Sequence, residues 1–103
     1  MRAKWTDHAK EQRRQIADYI RREFGLKRKK KFMQEVDHTV RMLMQSPGIG
    51  PIEPLFADRP KAYRSVIING LNKLVYSVEN DVIYIEAIWD TRQEPEEQAS
   101  QVK

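Results

Sequence analysis

"YRSVIINGLNKLVYSVENDVIYIEAIWD", residues 63–90, decides the fold. Three runs within it, "YRSVIIN", "KLVYSV" and "VIYIEAIWD", are rich in Val, Ile and Tyr, the residues that suit a pleated, half-buried surface. "GLN" and "END" separate them, and both read as tight hairpin turns. Two tight turns between three strands predict an antiparallel meander. Alternation along the third strand sends Ile83, Ile85 and Ala87 toward one face and Tyr84, Glu86 and Ile88 toward the other.

Upstream, "SPGIGPIEPLFADRPKA" (46–62) is long for a connection in so small a chain. Its apolar residues Ile49, Ile52, Leu55 and Phe56 are expected to pin it down. Before it, Phe32, Val36, Val40 and Leu43 recur at helical spacing, with Met33 and Met44 at the margin and Ser46-Pro47 as the stop. Asp7 to Phe24 reads as another amphipathic helix, with Ala9, Ile16, Ile20 and Phe24 on one face. Thr6 or Asp7 caps its start, and Gly25 ends it. "RAKW" (2–5) fits a short strand if a later strand pairs with it.

The expected architecture is α+β, in the order β-α-α-β-β-β, with a helical hairpin packed on one face of a small antiparallel sheet. Residues 1–95 are expected to form a single domain. The tail 96–103, "EEQASQVK", has nothing to bury and is expected to be mobile.

The 103 residues are 40% apolar and 33% charged and contain no cysteine, which excludes disulfides and thiolate metal sites. No apolar run is long enough to span a membrane, and the first residues lack a signal-peptide pattern, so a cytoplasmic location is expected. Residues 1–44 carry 13 Lys and Arg against 6 Asp and Glu, a net of +7; residues 45–103 carry 6 against 9, a net of −3. The basic half suits an anionic partner, and "LKRKKK" with Lys29 and Lys30 is its densest part.

GxSxG, P-loop, HExxH and cysteine-pair motifs are all missing, and neither a metal nor a cofactor is expected. His8 and His38 read as surface histidines. The last three strands and their ends bring forward Arg64, Lys73, Tyr84, Glu86 and Arg92, and the loop adds Glu53 and Arg59. Cations beside one or two carboxylates suit metal-free phosphodiester cleavage: a base takes the ribose 2′-OH proton and cations hold the transition-state charge. The same cluster suits the docking of an acidic protein segment. Trp89 reads as a partly buried sheet residue more readily than as a platform for stacking bases.

Five stretches together resemble the RelE/ParE superfamily, small toxins of bacterial type II toxin–antitoxin systems. They are "W-T-x-x-A" at Trp5–Ala9, "YIRREFG" (19–25), "SPGIGPIEPL" (46–55), "YRSVIINGLNKLVYSV" (63–78) and "IWDTRQEP" (88–95). The ending Arg92-Gln93 is closer to the ParE-like branch. The resemblance implies a growth-inhibiting toxin that poisons DNA gyrase by protein contact and is neutralised by a cognate antitoxin in a hetero-oligomer. The alternative it leaves open is a RelE/YoeB-like ribosome-dependent mRNA endonuclease, and a degenerate member that only binds its antitoxin is a third.

For the nuclease, the resemblance implies Glu53 as general base, Lys73 as phosphate ligand and Arg92 at the catalytic end. Thr91 and Arg92 stand where those enzymes have a His-Tyr pair. For target binding, the residues themselves put forward Arg59, Arg64 and Tyr84 on the sheet's open face and its loop, Lys29 and Lys30 in the basic run, and Trp89 and Asp90 at the polar end of the last strand.

Overall fold

The computed structural model describes residues 1–91. Arg92, a candidate catalytic residue, and the tail expected to be mobile both lie outside them. The elements are β1 (Arg2–Trp5), α1 (Asp7–Phe24), α2 (Leu26–Gln45), a single 3-10 turn (Pro54–Phe56), β2 (Arg64–Ile68), β3 (Asn72–Glu79) and β4 (Val82–Asp90). Two helices lie on one face of a four-stranded sheet of order β1-β4-β3-β2.

The α+β order is the expected one, but the sheet is mixed rather than antiparallel. β1 runs parallel to β4, from Arg2 opposite Val82 to Trp5 opposite Ile85. A four-residue strand gives no pattern that fixes its partner. Its direction follows from the helical hairpin, which lifts the chain off the sheet directly after Trp5 and leaves β4 to return beside it. Thr6 Oγ1 caps α1 by accepting from the Ala9 amide at 3.1 Å.

Gly25 alone joins the helices, at φ +95°, a conformation that costs a side-chain-bearing residue strain. The cationic run Lys27–Lys31 is therefore the start of α2 rather than a turn. Phe32, Val36, Val40 and Leu43 are buried as the spacing predicts. Phe24 is not: it sits at the hairpin's end, 56% exposed, with the Arg28 guanidinium 5.3 Å from its ring.

Both hairpins use left-handed turn residues, Asn69-Gly70 and Asn80-Asp81, which match the twist of the strands they join. The alternation read along β4 holds only as far as Ile85. Tyr76 of β3 stands opposite Ile85 while its neighbour Val75 stands opposite Ala87, so Glu86 is the extra residue of a β-bulge. Beyond it the faces exchange. Ile88 joins the helix-side core with Ile83, Ile85, Leu74 and Tyr76, and Ala87 moves to the back. The back face carries its own cluster of Phe56, Tyr63, Val75, Ala87 and Trp89.

Candidate functional site

The segment between α2 and β2 wraps the edge of the sheet. It starts on the helix side, where Tyr76 Oη donates to the Pro47 carbonyl at 2.7 Å and accepts from the Gly50 amide at 3.1 Å. Arg64 Nη1 donates to the Gly50 carbonyl at 2.7 Å. The chain then crosses the edge strand. The Ser65 amide donates to the Pro51 carbonyl at 3.1 Å, and the Glu53 amide to the Tyr63 carbonyl at 2.8 Å. On the back it seats Phe56 against Tyr63 and Trp89. Half of an otherwise open edge is covered this way, which removes a site for unwanted strand pairing.

Gly50 is required at the crossing. A Cβ there would stand 2.7 Å from the Ser65 carbonyl oxygen and 2.8 Å from Tyr76 Oη, closer than packed atoms sit. The anchors of this strap differ from those expected. Phe56 is buried, but Ile49 and Ile52 are 56% and 49% exposed, so hydrogen bonds hold the first half of the strap.

Under the strap lies the pair that the nuclease reading requires. Lys73 Nζ is 3.0 Å from Glu53 Oε2, and Ser65 Oγ donates to the same oxygen at 2.6 Å. The Leu55 amide donates to Glu53 Oε1 at 3.3 Å. Glu53 is 2% exposed, so both carboxylate oxygens are occupied and shut away from solvent. Burial pushes its pKa up. Hydrogen bonds from Ser65, Lys73 and Leu55, together with the Lys73 charge, outweigh this and hold the carboxyl below its ordinary range. A carboxylate that is buried, hydrogen-bonded and made less basic is poorly placed to take a proton from a ribose hydroxyl.

Of the other candidates, Trp89 stands beside this pair, opposite Lys73 in register. Arg64 shares the side of Tyr76, its cross-strand partner, and supports the Gly50 turn. The Arg59 guanidinium lies 4.9 Å over the Phe56 ring. Trp89 is 4% exposed, packed edge-on to Phe56 with ring centres 6.3 Å apart, so it offers no surface for contact or stacking. Tyr84 is half-buried beneath the Lys61 ammonium, 5.3 Å from its ring. Asp90 pairs with Asn72 in register at the sheet's end. Lys29 and Lys30 belong to α2, in the other layer. Of the two histidines read as surface residues, His38 is exposed. His8 is half-buried, and its Nε2 has no hydrogen-bond partner among the described residues.

Sequence reasoning missed Ser65, Tyr76 and a second polar cluster. In the latter, Glu86 Oε2 accepts from Lys61 Nζ at 2.9 Å and from Ser77 Oγ at 2.7 Å. Glu86 shares the face of Tyr84, as alternation places it, and so meets both. Burial lowers the Lys61 pKa, but the hydrogen bond and charge of Glu86 raise it further, and the net direction is up. Among the described residues no helix is long and apolar enough to cross a membrane.

A family model described as the ParE toxin of the type II toxin–antitoxin system parDE matches residues 3–95. Ten solved chains match. One, from the chromosomal ParDE toxin–antitoxin system of P. aeruginosa, aligns over 87% of this chain and 95% of that one, at 23% identity and a TM-score of 0.71. At that identity the likeness concerns the fold. No curated protein sequence matches the chain.

Proposed function

The chain belongs to the ParE toxin family of type II toxin–antitoxin systems, and we propose that it stops growth by contact with DNA gyrase rather than by cutting mRNA. The observation that carries this reading is the mutual capture of Glu53 and Lys73 under the strap. In a nuclease these groups would face the substrate. Here each neutralises the other, and Ser65 occupies the hydrogen-bonding position a substrate hydroxyl would need.

A cognate antitoxin holds the toxin inactive in a hetero-oligomer. The helical hairpin suits such a partner. Its end exposes Tyr19, Phe24 and Leu26 beside Arg28 and the lysines that follow, a surface that fits an amphipathic segment with acidic flanks. With gyrase as target, the toxin works in the cytoplasm.

The test adds the purified chain to gyrase holoenzyme and relaxed plasmid with ATP. Loss of supercoiling that depends on toxin concentration supports the reading. Undiminished supercoiling at a large molar excess of folded toxin refutes it.

A further inference from the structure

We propose that Ile49 and Ile52 form a preset contact knob that enters an apolar, acid-rimmed pocket on the toxin's protein target. This rests on the contact reading above and deepens it by naming the surface that does the work.

Two observations carry it. The first is rigidity behind exposure. Ile49 and Ile52 flank the Gly50-Pro51 crossing, and both present about half their surface to solvent. The backbone between and beside them is fixed from below by Tyr76 Oη, by Arg64 Nη1 and by the bridge of Ile52 to Arg64. Core packing does not demand isoleucine at either place, since neither side chain belongs to a buried cluster. A loop already held in one shape loses little conformational entropy on docking, so the apolar area of its side chains converts more fully into affinity. Large apolar side chains on a rigid, protruding turn are the kind of anchor that dominates protein interfaces.

The second observation is charge. The Arg64 guanidinium lies directly behind the knob, spends one N–H on the Gly50 carbonyl and is half-buried; among the described residues it forms no ion pair with a carboxylate. Its remaining donors favour a pocket whose rim carries carboxylates.

The experiment compares growth arrest on induction of the full chain and of the variants Ile49→Asp, Ile52→Asp and Ile52→Lys. Melting temperature and co-purification with the co-expressed cognate antitoxin are measured for each. The expected result is that each aspartate variant needs about tenfold more toxin for the same arrest, with melting and antitoxin binding unchanged. Ile52→Lys should lose less than Ile52→Asp, because a cation suits the acidic rim. Full toxicity in both aspartate variants overturns the proposal, as does antitoxin binding that falls in parallel with toxicity. Equal losses for Ile52→Lys and Ile52→Asp overturn the acidic rim. If an aspartate variant melts early, Ile49→Ser and Ile52→Ser replace it under the same criteria. Growth arrest reads the knob whichever protein is the target, whereas the supercoiling assay reads gyrase itself, so the two failures are distinguishable.

Discussion

Lys73 Nζ and Glu53 Oε2 meet at 3.0 Å across two elements, the strap that wraps the sheet edge and the strand β3 beneath it. Ser65 of β2 closes the same oxygen from the side. Three segments that share no local sequence are thus tied at one carboxylate. The resemblance implies a general base and a phosphate ligand at these positions; in the fold the two meet each other and tie the strap to β3.

Removing one partner should therefore unfold the clamp rather than abolish chemistry. Lys73→Met leaves a buried carboxylate uncompensated and is expected to cost about 3 kcal/mol, measured by urea denaturation. The double variant Glu53→Gln, Lys73→Met removes both charges and is expected to recover most of that loss. It should also remain toxic. A double variant that is folded and inert would contradict the structural role.

The clamp also sets an acid limb of stability. Glu53 has a folded pKa below its unfolded value of about 4.3. Its contribution is therefore fully present above that value and is lost as pH falls through the folded pKa. Melting temperature followed from pH 6 to pH 3 should fall less steeply in Glu53→Gln than in the wild type. Lys61 works in the opposite sense, because its pKa is raised. Its smaller, partly screened contribution is complete below about pH 10.4 and fades only above that.

Gly50→Ala tests the crossing itself. The added methyl would press on the Ser65 carbonyl and the Tyr76 hydroxyl, and one of them must move. The expected cost is about 1–3 kcal/mol by chemical denaturation, typical of an overpacked site. An unchanged midpoint would mean that the strap sits farther from β2 than described.

Tyr76→Phe deletes the hydroxyl that serves both Pro47 and Gly50. The Gly50 amide loses its partner, at an expected cost of about 1–3 kcal/mol. Hydrogen exchange should rise at the strap amides of residues 48–52 while those of β3 and β4 stay protected.

The parts of the fold legible in sequence were those with a period. α1 and the buried stripe of α2 follow from helical spacing, and the meander follows from β-rich runs separated by "GLN" and "END", although the first turn falls at Asn69-Gly70 and leaves Asn72 in β3. What periodicity cannot express was misplaced. A single extra residue at Glu86 exchanged the faces of Ala87 and Ile88, since alternation carries no mark of a bulge. The parallel partner of β1 was illegible because four residues fit several registers.

The candidate site was legible as a set of residue types and not as a geometry. The sequence groups Glu53 and Lys73 with Arg59, Arg64, Tyr84, Glu86 and Arg92; in the fold these two meet at 3.0 Å. Glu53 is buried and Lys73 half-buried, and Lys73 stands opposite Trp89, a long-range pairing that no local pattern announces. Apolar character alone makes Ile49 and Ile52 look like anchors, but Tyr76 and Arg64 fix the backbone of this segment instead.

The most direct test is to map mRNA 5′ ends across the transcriptome shortly after induction of the toxin, beside a Lys73→Ala control. Contact with gyrase predicts no new ends inside translated codons while growth stops. New cuts within codons, absent from the control, would contradict the account and return Glu53 and Lys73 to an active site.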